Sequence, residues 1–231
     1  MKLWKWVVGL LGVGGLLSLG KTSRASDVGL TVASRAYGEL EKWRGLTETN
    51  PDARPLLTRY WAAAGLPLQP TTTPWSAAFV SDVLNFRPGM IIPSPAHVDY
   101  VHAGYRARKL GKRDTYWALT PEEAGPLRPG DVVVKARPSD SGPDARGWTL
   151  ADLVDFGGFV PTHGDVVFEP SPGGGAPATG VGGNLSNSVR QTPIPTDAFG
   201  RASGAIAVMR HGAAVRTLAG SKASNGARGT A

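Results

Sequence analysis

The chain has 231 residues, 41% of them hydrophobic and 19% charged, which fits one folded domain with appendages and excludes disorder throughout. It contains no cysteine, which excludes disulfides, a thiolate nucleophile, iron–sulfur clusters and cysteine zinc sites. The formal charge is +7, but residues 26–209 hold 17 Lys and Arg against all 18 Asp and Glu; the basicity lies at the two ends, and no nucleic-acid partner is expected.

The first 25 residues have the layout of an export signal. Lys2 and Lys5 precede a 14-residue uncharged run, Trp6 to Leu19, and Ser23-Arg24-Ala25 offers small residues for cleavage. The run is shorter than the roughly 20 residues of a membrane span. An uncleaved anchor, with residues 1–20 in contact with a membrane, is the alternative. The expected organisation is a signal or anchor at 1–25, one domain at 26–209, and a loose basic tail at 210–231.

Within the domain, Val28, Val32, Ala36, Leu40 and Trp43 predict an amphipathic helix over about 27–45. Leu56, Leu57, Tyr60, Trp61 and Ala64 predict a second, stopped by Gly65. Thr73 as N-cap and Pro74 at the first helical position predict a third, which places Ser76 at its third position. Ser94-Pro95 predicts the start of a fourth, running to Gly111. Short strands then follow at 115–119, 131–135, 163–168, 181–184, 188–192 and 205–209, while 148–159 is ambiguous. Helices first and an antiparallel sheet after is an α+β layout.

The residues able to carry chemistry are few. Ser76, near a helix N-terminus where N–H groups are free, suits a nucleophile with an oxyanion site, and equally a plain capping serine. His163 opens a strand with Asp165 two residues on, so strand alternation puts both on one face. A carboxylate there can fix the imidazole tautomer. Asn184 is a second candidate orienter, or a turn asparagine. His97 and Tyr100 share a helix face, whereas His102, five residues from His97, does not complete a metal-binding pair. No metal and no cofactor is expected.

These motifs, in this order, form a pattern. Trp75-Ser-Ala-Ala-Phe-Val80, Pro129-Gly-Asp-Val-Val-Val134, His163-Gly-Asp-Val-Val167 and Gly183-Asn184 follow the order seen in papain-like cell-wall hydrolases of the NlpC-type and CHAP superfamily. With Ser94-Pro-Ala-His-Val-Asp-Tyr100 and Gly182 to Val189 added, the chain more closely resembles the bacterial domain-of-unknown-function family 2272, over about residues 55–209. The resemblance implies a papain-like α+β fold, with N-terminal helices on a small antiparallel sheet. It places Ser76 where the superfamily has its catalytic cysteine, His163 as general base, and Asp165 or Asn184 as orienter. Trp75, His97 and Tyr100 are the candidate substrate contacts. The expected function is an exported, periplasmic or secreted, peptidoglycan amidase or peptidase. The alternatives are an inactive module that binds cell wall or a protein, and a structural component of an envelope or phage particle.

Overall fold

The computed structural model describes residues 23–138 and 142–215; the expected signal-like run at 1–20 and most of the basic tail lie outside them. Helix α1 (Ser23–Lys42) begins ahead of the expected processing point after Ala25 and buries Val28, Val32 and Ala36. A short 3-10 turn, Pro51–Ala53, is capped by Asn50, whose Oδ1 accepts from Asp52 N at 2.9 Å. It leads into α2 (Arg54–Ala63), followed by α3 (Ser76–Leu84) and α4 (His97–Lys109). Then come β1 (Tyr116–Leu119), α5 (Pro121–Ala124), β2 (Val132–Ala136) and α6 (Leu150–Phe156). Strands β3 (Thr162–Glu169), β4 (Ala178–Leu185), β5 (Ser188–Ile194) and β6 (Ala207–His211) complete the fold. Helices α5 and α6 both start on a capping box, Thr120 with Glu123 and Thr149 with Asp152, which resolves the ambiguous stretch after Trp148 as helix.

Among the described residues the strands form one antiparallel sheet, in the order β1-β6-β2-β3-β4-β5. Period-two alternation splits its side chains between two cores. Tyr116, Ala118, Val132, Val134, Val166, Val181 and Met209 pack with the residues of α1 to α4. Trp117, Leu119, Val133, Val167 and Val208 pack in a smaller cluster with Ala124, Leu127 and Ala202. The arrangement is α+β, with the large helices gathered on one side.

Polar groups pin the helices together. Glu39 of α1 is 6% exposed and accepts from Tyr60 Oη (2.6 Å), Lys42 Nζ (2.7 Å) and Arg59. Burial pushes its carboxyl up, but the hydrogen bonds from Lys42 and Tyr60 and the charge of Arg59 outweigh this and hold it below its ordinary range. Trp43, Tyr60 and Trp75 stack at 5.0–6.3 Å between centroids, each such pair adding about 0.5–1.5 kcal/mol to its area burial.

The chain departs from the sequence reading at two places. Strand β6 continues beyond residue 209, and Arg210, expected in the loose tail, is 4% exposed. Its Nε and Nη2 grip Asp131 at 2.8 and 2.5 Å, and Nη2 also reaches Pro126 O at 2.9 Å. The described fold therefore runs to residue 215, six residues beyond the boundary expected at 209. The second departure is α3. Its N-cap is Trp75, with no side-chain cap, so Ser76 is the first helical residue and not the third; Thr73 closes a turn from Pro70, and Pro74 lies between that turn and the helix.

Candidate active site

Ser76 is 3% exposed and stands between two imidazoles. Its Oγ lies 3.0 Å from His163 Nδ1 and 2.9 Å from His97 Nε2. His163 is delivered by the start of β3, 87 residues downstream. His97 is the first residue of α4, whose entry is set by Ser94: its Oγ accepts from Ala96 N at 3.0 Å and donates to Asp99 Oδ2 at 2.5 Å.

With His163 as the neutral imidazole, the outer partners order the hydrogen bonds of the site. His163 Nε2 lies 2.9 Å from Asp165 Oδ1, and Asp165 Oδ2 accepts from Lys135 Nζ at 2.8 Å. An ionised carboxylate only accepts, so His163 Nε2 carries a proton, and in the neutral imidazole Nδ1 is then the acceptor that faces Ser76. The Ser76 hydroxyl donates to it. His97 Nε2 must then donate to Oγ, and its Nδ1 accepts from Tyr100 Oη. A single ordered chain results: Tyr100 to His97 to Ser76 to His163 to Asp165, with Lys135 at the end.

Burial and neighbouring charges act on Asp165, His97 and Tyr100 in turn. Burial would raise Asp165, which is fully inaccessible, but the hydrogen bond from His163, the positive charge that ring carries once protonated, and the Lys135 ammonium lower it below its ordinary range. His97 is pushed well below the usual imidazole range, first by burial and then by the positive charge His163 would present, with Asp165 opposing and Arg137 adding a smaller push. It is neutral at physiological pH. Burial pushes the Tyr100 hydroxyl well up, so it remains a donor.

Two glycines make room for this chain. A Cβ on Gly164 would sit 2.8 Å from two ring atoms of His97 and 3.1 Å from Tyr100 Oη. A Cβ on Gly182 would sit 2.2 Å from Asp165 Oδ1 and 2.9 Å from His163 Nε2.

Ser76 and His97 open onto a cavity of about 460 Å³. Trp61, Leu66, Ala77, Pro95, Phe159, Val160 and Pro161 supply apolar walls, with Gln69, Thr73, Thr162 and Arg137 as polar lining.

Of the residues singled out from sequence, Ser76, His163, Asp165 and His97 meet at one point. Asn184 does not join them: it takes a left-handed turn conformation (φ 59°) and makes no hydrogen bond to His163, whose far nitrogen is already held by Asp165. Trp75 and Tyr100 do not line the cavity. Trp75 is 1% exposed, sandwiched in the aromatic stack and donating to Glu48 at 2.7 Å, and Tyr100 acts behind His97. Lys135, Arg137 and the role of Gly182 were not foreseen, although the Lys135↔His163 register pairs neighbouring strands directly. Among the described residues no group of three His, Asp or Glu is arranged to hold a metal ion, and no helix is long and apolar enough to cross a membrane.

Comparison with known proteins places this site in a family. No curated protein and no solved structure matches the chain. A family model matches residues 43–215, a span that contains α2 to α6, the whole sheet and every member of the Ser76 hydrogen-bond chain. The chain belongs to the family described as "uncharacterized protein conserved in bacteria (DUF2272)".

Proposed function

We propose that this domain is an acyl-transfer hydrolase with Ser76 as nucleophile, acting as an amidase or peptidase on peptidoglycan peptides. The observation that supports it above all is the Ser76 hydroxyl, 3.0 Å from Nδ1 of His163, whose other ring nitrogen lies 2.9 Å from Asp165. Cell wall as substrate, export across the membrane and a papain-like ancestry rest on the motif order and on the signal-like start.

The chemistry follows from the ordered chain. Ser76 Oγ attacks the amide carbonyl carbon while its proton passes to His163 Nδ1. Asp165, itself held by Lys135, stabilises the imidazolium that forms. His97 Nε2–H and the free N–H groups at the start of α3 donate to the oxygen charge that develops. Collapse of the tetrahedral adduct breaks the C–N bond, and His163 returns the proton to the departing amine. Water then attacks the acyl-serine, gives its proton to His163, and releases the carboxylic acid with Ser76 restored.

Incubation with purified sacculi tests the proposal. Wild type releases soluble peptides, identified by mass spectrometry, and Ser76→Ala does not; equal release by both would end the reading. Serine in place of the superfamily's cysteine favours a second reading, a wall-binding module without catalysis. Equal co-sedimentation of both proteins with sacculi, and no products from either, would establish that reading instead.

A further inference from the structure

The cavity beside Ser76 carries a charge pattern that none of the chemistry above uses. Trp61, Leu66, Phe159 and Pro161 make it mostly apolar, and Arg137 is the one charged residue among its described lining residues. Arg137 follows the last residue of β2, and its backbone N–H bonds to Pro161 O at 3.0 Å, so its backbone is anchored to another lining residue of the cavity. The side chain is exposed and has no carboxylate partner among the described residues. The neighbouring cation, Lys135, is by contrast committed to Asp165. The guanidinium also stands close enough to His97 for its charge to reinforce the effect of burial on that ring.

We infer that this cavity is a subsite for a carboxylate-bearing acyl or peptidyl group, with Arg137 receiving the carboxylate and the apolar walls receiving the attached carbon chain. A guanidinium fork matches a carboxylate through two parallel N–H donors. One cation neutralises one singly charged group; a phosphate dianion would be left half compensated in an apolar setting. The inference deepens the acyl-transfer reading by naming its substrate class, and rests on that reading only for what happens after binding.

The test separates the two. Binding is measured by NMR titration of Ser76→Ala, which holds ligand without turnover. Two probe pairs differ only in charge: acetyl-Ala-Glu-amide against acetyl-Ala-Gln-amide, and acetyl-Ala-Ala against its C-terminal amide. At least one acid should bind about fivefold to tenfold tighter than its amide, the range for a partly exposed charged pair. Adding Arg137→Gln should bring that ratio to about one and leave the amide's affinity unchanged, and 0.5 M NaCl should narrow it. Acids no tighter than amides, a preference that survives Arg137→Gln, or no binding by any probe would each overturn the inference. Labelling of wild-type Ser76 by a fluorophosphonate is scored separately: its failure would sink the hydrolase reading and leave the subsite standing.

Discussion

Gly182→Ala offers a sharp test of how the site is built, because its consequence can be worked from distances. Gly182 pairs with Asp165 across β4 and β3. A Cβ added there would stand 2.2 Å from Asp165 Oδ1, 2.9 Å from His163 Nε2 and 3.0 Å from Leu185 Cδ1. Ordinary contact needs roughly 3.5 Å, so the carboxylate has to retreat by about 1 Å. It has nowhere free to go, being fully buried and tied to Lys135. Overpacking of this kind costs about 1–3 kcal/mol, or several degrees of Tm for a domain of this size. The larger effect is on reactivity. A retreat of about 1 Å breaks the 2.9 Å bond that holds the His163 ring, and misplacement on that scale costs on the order of 100-fold in rate. The assay is the second-order rate of fluorophosphonate addition to Ser76, followed by intact mass, with a thermal melt in parallel. Gly38→Ala serves as control, since a Cβ in that α1 position meets nothing within 4 Å and should stabilise by about 0.5–1 kcal/mol through helix propensity. Gly182→Ala labelling at the wild-type rate would refute the argument that Asp165 positions the base.

Four further outcomes are expected. Asp165→Asn presents an amide N–H either to Lys135 or to His163, and the second choice reverses the imidazole so that Nδ1 no longer accepts from Ser76; labelling should fall by about 100-fold to 10,000-fold, and a fall under tenfold would contradict the assigned tautomer. Ser76→Cys puts a thiol beside His163, so alkylation by iodoacetamide at pH 7 should run at least about tenfold faster than with free cysteine; an equal rate would show that the base does not act. His97 has its folded-state pKa lowered by burial, so the unfolded chain binds the proton first and stability falls as pH drops below about 6.5. His97→Gln should flatten this fall in urea melts between pH 6 and 5; parallel slopes would show that His97 is not held neutral. Arg210→Met leaves Asp131 buried with the Arg128 N–H but without its guanidinium, at a cost of about 3–5 kcal/mol, readable as a lower denaturation midpoint; loss under 1 kcal/mol would mean the pair is dispensable.

Much of this protein is local and therefore legible in its sequence. The stripe Val28, Val32, Ala36 makes α1 wherever it lies, and the alternation of β1, β2, β3 and β6 assigns their side chains to two faces before any partner is known. The pairing of His163 with Asp165 is of the same kind, because two residues apart on a strand share a side. The pattern around Ser76 and His163 was also enough to identify them as partners. What sequence could not supply depends on surroundings that arrive from far along the chain. Ser76 is the first helical residue because Thr73 closes the turn from Pro70, and the helix starts only after the stacked Trp75, which is held by Trp43, Tyr60 and Glu48. Asn184 was displaced as orienter because Asp165 already occupies the ring nitrogen it would have used. Arg210 looked like part of a basic tail because its partner, Asp131, lies 79 residues away on the far side of a strand pairing. His97 is neutral and a donor only because α4 buries it against Tyr100 and β3. Spacing along the chain sets which side chains share a face; burial, hydrogen-bond direction and the company of distant residues come only with the tertiary structure, and those are what turn a serine and two histidines into a site.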